Sequence, residues 1–468
     1  MRLWNYLKDK MLQHRSQVVS EENASMTFEE IIIYAETLSK KLYGVKCCGI
    51  LCQSEMMAAI SLLACFAAGV TALPLSLRYG ELHCKKILDF ISPDAILTDL
   101  NGEIEVASIT KSKYIEPEAH PALIMCTSGT TGTPKGVMLT ETNILTNVSD
   151  ISDYFGINEK DHILIARPLY HCAVLTGEFL TALVKGTGIR FYSGAFHPAA
   201  VLSLVKKHNI SALCGTPTLL SIMARYNRNR EGDSLKHICV SGECMSFETG
   251  TRISKAFPDA GIYHIYGLTE ACPRVSYLPP SLFNDHADCV GIPLKHVALK
   301  IITSQGKPAG VNEIGVLWVK GDNVMMGYYN DCARTTQVIQ EGWLCTGDLS
   351  LINEAGLLKI LGRNDDLIIR AGMNIYPQEV EGALRTDPRV HEVYVHGELD
   401  EKYGTQIVLN ISGEFSDLLE VKELCKKWLP AYQMPTKFNL LPEIPKNGSG
   451  KIMRRRENAG IRKENSAN

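Results

Sequence analysis

Short apolar runs alternate with helix-period segments through most of this chain, and few architectures accept that alternation. Residues 49–52, 71–75, 94–98, 162–166, 189–192, 212–215 and 238–241 read as strands, with helical patterns such as 55–68 and 198–207 between them. Strands separated by helices point to parallel sheets in α/β layers, because a parallel connection needs a crossover. Thr27-Phe28-Glu29-Glu30 reads as a capping box, with Ile31, Tyr34, Leu38 and Leu42 continuing one helical face. From residue 290 the texture shifts to short strands with glycine turns, such as 298–302 and 315–319, expected to form a small β subdomain.

After Gly362-Arg363 a compact α+β pattern restarts: strand 366–369, helix 377–385, strands 390–396 and 406–411, helix 418–429. The expected organisation is therefore a large N-terminal domain, residues 1–364, and a small mobile C-terminal domain, residues 365–468. A chain of 468 residues with 45% hydrophobic composition is long enough for two or more domains. A net charge of −3 gives no basic excess to favour nucleic acid as partner. Seven basic residues against one acidic in the tail 446–463 fit a solvated tail or a phosphate partner equally. The fifteen cysteines have no CxxC spacing, so free thiols in a reducing cytoplasm are expected. No signal-peptide pattern opens the chain, and the uncharged stretch 56–77 is interrupted by Gly69 and Pro74, which favours a buried helix and strand over a membrane span.

Met125 to Val137 reads M-C-T-S-G-T-T-G-T-P-K-G-V. Its glycines let backbone N–H groups approach a ligand, its hydroxyls donate to phosphate oxygens, and Lys135 adds a compact positive charge. It is not a Walker A loop, since Lys135 follows Pro134 and precedes Gly136. Further along, Tyr266-Gly267-Leu268-Thr269-Glu270 follows a strand-like run. A flat aromatic there suits a purine, a threonine a phosphate, and a carboxylate Mg²⁺. Gly342-Trp343-Leu344-Cys345-Thr346-Gly347-Asp348 places a carboxylate that can accept from both hydroxyls of a ribose.

These strings resemble, in order, the signatures of the adenylate-forming superfamily, which includes acyl- and aryl-CoA ligases, peptide-synthetase adenylation domains and luciferases. Val240-Ser241-Gly242-Glu243, Gly362-Arg363-Asn364-Asp365-Asp366, Gly372-Met373-Asn374-Ile375-Tyr376-Pro377 and Pro445-Lys446-Asn447-Gly448-Ser449-Gly450-Lys451 extend the match, so that it runs from Met125 to Arg454. The N-I-Y-P form is similar to CoA ligases more than to adenylation domains, although Asn374 departs from the Arg of acetyl-CoA synthetases.

The resemblance implies roles for individual residues. Thr127, Ser128, Gly129, Thr130, Thr131, Gly132 and Lys135 would hold the β- and γ-phosphates of ATP. Gly242, Glu243 and Tyr266 would line the adenine, and Asp348 and Arg363 the ribose. Thr269 would serve the phosphates, Glu270 would hold Mg²⁺, and Lys451 would be the catalytic charge at the reacting carboxylate. His171, Gly215 and Gly267 would border the acid pocket; Asp365 would be the hinge, and Gly372 would line the thiol tunnel. Tyr170-His171-Cys172 stands where amino-acid-activating relatives usually place an Asp, so a free α-amino acid is disfavoured. Ser241-Gly242-Glu243 is similar to the S-A-G-E of benzoate-type ligases and points to an aromatic acid.

The expected activity is ATP-dependent ligation of an aryl or short- to medium-chain acid to CoA through an acyl-adenylate. The alternative is a stand-alone adenylation enzyme that loads an acid onto the phosphopantetheine of an acyl or peptidyl carrier protein in trans.

Overall fold

The computed structural model describes residues 2–109, 112–128, 134–194, 197–370, 373–400, 404–445 and 452. The chain forms two compact units that divide between Leu367 and Ile368, the first holding Met1–Thr127 and Pro134–Leu367.

Two large sheets and a smaller one build the first unit. The seven-stranded sheet has a parallel heart, Leu123–Ser128, Thr71–Pro74, Cys47–Ile50 and Ala95–Leu100 in spatial order. In the nine-stranded sheet the parallel run is Gly188–Phe191, His162–Ile165, Ala212–Gly215, His237–Ser241 and Gly261–Gly267. Strands covered on both faces read as near-continuous apolar runs, which is why periodicity found them. The third sheet, five-stranded and antiparallel, carries Val297–Ile302, Gly315–Gly321 and the long Trp343–Ile352, as the texture change after residue 290 implies.

The helix Glu55–Ala68 occupies the space between the two large sheets and touches strands of both. Eleven of its fourteen residues are buried, Ile60, Leu63, Ala64 and Cys65 completely. A helix apolar on all sides can only be a core element or a membrane span. Here it ends at Gly69, in the left-handed region at φ 68°, and the chain turns directly into the strand Thr71–Pro74. Among the described residues no helix is long and apolar enough to cross a membrane. A buried carboxylate starts this helix: Glu21 accepts from Ser54 Oγ at 2.5 Å and from the amides of Glu55 and Met56 at 3.2 and 3.0 Å. Negative charge at a helix N-terminus meets the unsatisfied amides and the positive end of the helix dipole.

The capping box at Thr27 and Glu30 is formed in both directions. Two sequence expectations shift. The strand entering the Gly/Thr motif runs to Ser128, and Pro134, Lys135 and Gly136 open the strand Pro134–Leu139 rather than lying in a loop. Proline is tolerated at a strand's first residue, where no ladder N–H is needed. The segment after Arg363 is a 3-10 turn, Asn364–Asp366, and the strand begins later, at Ile368–Arg370.

The second unit is α+β. Val390–Asp400, Gly404–Gly413 and Lys437–Leu440 form a three-stranded sheet, and the helices Pro377–Leu384 and Leu418–Trp428 share one apolar cluster with it. Val393, Val395, Ile407, Leu409 and Ile411 belong to that cluster, and Tyr394 and Val408 between them are buried as well, so the middle of the hairpin is covered on both faces.

Candidate active site

The carboxyl ends of parallel strands are where open α/β sheets take their ligands. Tyr266 stands at such an end, on the strand Gly261–Gly267, and its Oη donates to Asp348 Oδ2 at 2.5 Å. Asp348 pairs in register with Arg363 on the adjacent antiparallel strand, and Arg363 Nη1 donates to Asp348 Oδ1 at 3.3 Å and to the Thr346 carbonyl at 2.9 Å. The Asp348 amide is held by Thr346 Oγ1 at 3.0 Å, and that hydroxyl donates to the Leu317 carbonyl. Burial and the Asp348 carboxylate beside it both push the Tyr266 phenol up, so it stays a neutral donor. An aromatic face, a fixed carboxylate and a half-exposed guanidinium thus converge on one spot.

A second cluster surrounds Glu270. The turn Thr269–Ala271 carries it, and Tyr328 Oη donates to its Oε1 at 2.9 Å. Tyr328 belongs to a two-residue strand paired with Pro134–Leu139, in register with Val137. Lys135 Nζ lies 6.0 Å from the centre of the Tyr328 ring and the Arg334 guanidinium 5.7 Å from it. Burial and the positive charge of Arg334 lower the Lys135 amine, while Glu270 acts in the opposite direction; Arg363 and Asp365 also act on it. So Lys135, Glu270, Arg363 and Asp365 share one electrostatic neighbourhood, and Tyr328 and Arg334 join it. Sequence reasoning missed both of the last two. Arg334 sits among ordinary polar residues, and Tyr328 has meaning only through strand pairing 191 positions away (328 − 137).

Glu270 fits Mg²⁺ as a hard oxygen donor already oriented by a phenol. Among the described residues no group of three or more His, Cys, Asp or Glu side chains forms a metal cage. A site of this type suits Mg²⁺ held jointly by one carboxylate and nucleotide phosphates.

The glycines that the resemblance gives to the acid pocket and to the adenine lie at neighbouring strand ends. Gly215 is buried at the end of Ala212–Gly215, where a Cβ would come 3.0 Å from Leu220 Cγ. Gly242 is exposed after His237–Ser241 at φ +97°, a conformation that favours glycine, and among the described residues only Thr216 comes within contact of a Cβ. Glu243 turns away into local structure: it accepts from Thr218 Oγ1 at 2.7 Å and from the Thr218 amide at 3.3 Å. At Gly267 a Cβ would collide with the Pro273 carbonyl, so the Tyr266–Glu270 turn requires glycine there.

His171 begins a short helix, Cys172–Val174, with its ring edge-on to Tyr170. Burial, with the guanidinium groups of Arg167 and Arg78 nearby, pushes its imidazole down to about 3, so it is neutral near pH 7. Its loop is tied to the seven-stranded sheet and to the helix Glu55–Ala68. Tyr170 Oη donates to the Cys126 carbonyl at 2.7 Å, and Glu55 Oε2 accepts from the Leu169 amide at 3.0 Å.

Thr127 is half-buried near the end of its strand. Ser128 closes that strand, its side chain outside the described residues, as are Gly129, Thr130, Thr131, Gly132, Gly372 and Lys451 altogether. Asp365 is exposed in the 3-10 turn Asn364–Asp366, close to where the two units divide.

The sequence pattern of the AMP-binding enzyme family matches residues 10–329, and that of the AMP-binding enzyme C-terminal domain matches residues 379–451. The chain belongs to the AMP-binding enzyme family. As a member it is an AMP-forming acid–thiol ligase of the adenylate-forming superfamily. It is 31% identical to a 2-succinylbenzoate–CoA ligase of Bacillus subtilis over 487 aligned positions, covering 95% of this chain and 96% of that protein. A feruloyl-CoA synthase of Amycolatopsis is 29% identical over 84% of each chain. In three dimensions it is similar to o-succinylbenzoate CoA synthetase of B. subtilis in complex with its acyl-adenylate intermediate, with TM-score 0.84, 28% identity, and coverage of 98% of this chain and 99% of that one.

Proposed function

We propose that this AMP-forming enzyme joins an aryl or short- to medium-chain carboxylic acid to CoA, by way of an enzyme-bound acyl-adenylate. The observation that carries the reading is the convergence of Tyr266, Asp348 and Arg363, which presents a ring face, a diol acceptor and a cation to one nucleoside. Lys135, Arg334 and Glu270 supply charges suited to a polyphosphate and its Mg²⁺.

In the first step a carboxylate oxygen of the acid attacks the α-phosphorus of ATP, the bond to the β-phosphate oxygen breaks, and pyrophosphate leaves. Both reactants are anionic, so positioning and charge cancellation are the protein's main contributions. Lys135 and Arg334 hold the pyrophosphate end, with Tyr328 fixing the Glu270 carboxylate. Mg²⁺, when bound, neutralises phosphate charge. Lys451 is assigned by the resemblance to the reacting carboxylate and α-phosphate.

In the second step the sulfur of a thiol attacks the acyl carbon and AMP leaves. The resemblance assigns Asp365 as the hinge that lets Lys451 withdraw and Gly372 approach the thiol arm. Support for an aryl acid comes from the relatives that act on 2-succinylbenzoate and on a feruloyl group. CoA is favoured over a carrier protein by the same relatives. The fifteen free cysteines, twelve of them buried, support operation in a reducing compartment such as the cytoplasm.

Incubation with ATP, Mg²⁺ and a panel of acids, in parallel with CoA and with a phosphopantetheine-bearing carrier protein, tests the assignment. A thioester formed on CoA supports it; one formed only on the carrier refutes it.

A further inference from the structure

The turn that carries Glu270 is irregular, and its backbone is held largely from outside. Five successive carbonyls, Glu270 to Arg274, each accept a hydrogen bond. The first is met by the Met325 amide at 2.9 Å and that of Pro273 by the Leu268 amide at 2.8 Å. Side chains meet the other three. Asn323 Nδ2 donates to the Ala271 carbonyl at 2.9 Å, Thr176 Oγ1 to that of Cys272 at 3.2 Å, and Asn147 Nδ2 to that of Arg274 at 2.7 Å. All three side chains are completely buried. They arrive from separate places: the chain after the strand Gly315–Gly321, the π-helical turn Leu175–Leu180, and the helix Glu141–Tyr154.

A buried carbonyl must find a donor, but three desolvated side chains are an expensive supply. What they add is a fixed position. Residues 323–329 form a strap with a bond to each side. On one side Asn323 and Met325 hold Ala271 and Glu270. On the other, the Met326 and Tyr329 amides donate to the Met138 and Gly136 carbonyls at 3.1 and 2.7 Å, on the strand Pro134–Leu139 that carries Lys135. The strap thereby sets the spacing between Glu270 and Lys135. Asn323 Nδ2 donates a second time, to the Arg274 carbonyl at 3.3 Å, while its buried Oδ1 has no partner among the described residues. An amide that keeps an unmet acceptor in the core is held there for its donors.

Thr176 ties the same turn to a second element. Its hydroxyl hydrogen is shared between the Cys172 carbonyl at 2.9 Å and the Cys272 carbonyl. Arg274 returns the contact, Nη2 donating to the Gly177 carbonyl at 2.7 Å. The π-helical geometry that offers Thr176 and Gly177 to this turn is one that occurs often at functional sites.

We propose that Asn323 and Thr176 are positioning residues, which hold the turn from Glu270 to Arg274 so that the Glu270 carboxylate stands ready for Mg²⁺ beside Lys135. The proposal deepens the ligase reading and rests on it, through the metal role of Glu270.

Two readouts on the full-length enzyme test it. Calorimetric binding of α,β-methylene-ATP with and without Mg²⁺ gives the factor by which the metal tightens the nucleotide, with no turnover. ATP–pyrophosphate exchange titrated with Mg²⁺ gives the metal dependence of the reaction. Asn323→Ala should cut the tightening factor about tenfold or more, as loss of a partner behind a metal ligand does. Thr176→Val, which keeps the shape and loses the hydroxyl, should cut it about threefold or more, and Thr176→Ser, which keeps the hydroxyl, should stay within about twofold of the parent. In exchange, half-maximal Mg²⁺ should rise by similar factors while kcat recovers at high Mg²⁺, a split that a packing defect alone would not produce. Thermal unfolding identifies any variant that fails to fold, and either position then decides alone. Glu270→Gln is the control. If it abolishes the tightening while Asn323→Ala and Thr176→Val leave it unchanged, or if Thr176→Ser is as impaired as Thr176→Val, the positioning role is overturned and the ligase reading stands. Tightening that survives Glu270→Gln removes the metal role of Glu270 and the proposal with it. Exchange with no acid in the parent enzyme overturns the ligase reading itself.

Discussion

Tyr266 Oη donates to Asp348 Oδ2 at 2.5 Å, linking the end of a parallel strand in the nine-stranded sheet to the antiparallel sheet that carries Arg363. The bond fixes a carboxylate beside a ring, and the two substitutions at its ends should separate their contributions. Asp348→Asn removes the charged acceptor and should lower kcat/KM for ATP about 10- to 100-fold, the cost of a charge-assisted hydrogen bond. Tyr266→Phe keeps the ring and should cost only about threefold to tenfold. Steady-state kinetics in ATP at saturating acid checks both, and an equal loss in acid affinity would contradict the nucleoside assignment.

Tyr328 orients Glu270 without itself being a metal donor in this account. Tyr328→Phe should therefore raise the Mg²⁺ concentration for half-maximal activity by about 10- to 100-fold, with kcat recovering at high Mg²⁺. An unchanged Mg²⁺ titration would place Glu270 outside metal binding.

Lys451 and Asp365 should divide the two half-reactions. Lys451→Ala is expected to lower pyrophosphate exchange by at least about 10²-fold while pre-formed acyl-adenylate still reacts with thiol. Asp365→Pro should spare exchange and block thioester formation. Loss of both steps in the lysine variant would contradict the hinge assignment.

His264 offers a test in acid. It is 1% exposed, and burial pushes its imidazole from 6.5 down to about 4, although Ala287 accepts from its Nδ1. The native state holds it neutral, so between those two values the unfolded chain binds more protons. Stability is fully present above 6.5 and is lost as pH falls toward 4, with a slope of about 1.4 kcal/mol per pH unit from this residue. His171, pushed down to about 3, acts in the same direction. Denaturant unfolding between about pH 4.5 and 6 should show a slope reduced by about one proton in His264→Asn, roughly 1.4 kcal/mol per unit.

The helices Glu55–Ala68 and Pro198–Lys207 were legible to the residue, because continuous apolarity in one and a proline start in the other are local signals. Most of the parallel strands were legible for the same reason, within two residues at their ends, but Val18–Glu21, which runs parallel to Gly188–Phe191, was not read, and Leu123–Ser128 was read three residues short. The antiparallel hairpin Val390–Asp400 with Gly404–Gly413 was read several residues short: the unread stretch holds the polar Glu398 and Thr405, kept in place by ladder pairing. At the site, Tyr266, Glu270, Asp348 and Arg363 stood out as strings, and the structure brings Tyr266, Asp348 and Arg363 together. Tyr328 and Arg334 did not stand out. Each acquires its role from a partner on another element, and no local pattern encodes such a meeting. Lys135 was read with the Gly/Thr-rich phosphate loop, yet it stands in a strand that opens at Pro134, and a proline at a strand's first residue costs no hydrogen bond.

The central claim is that one acid is activated as an adenylate and passed to CoA. Product stoichiometry tests it most directly: enzyme, ATP, Mg²⁺, CoA and an acid that supports exchange, with nucleotides and thioester quantified together. The account predicts AMP, pyrophosphate and acyl-CoA appearing in equal amounts, with no thioester when CoA is omitted. ADP and phosphate in place of AMP, or AMP released without acyl-CoA, would contradict it.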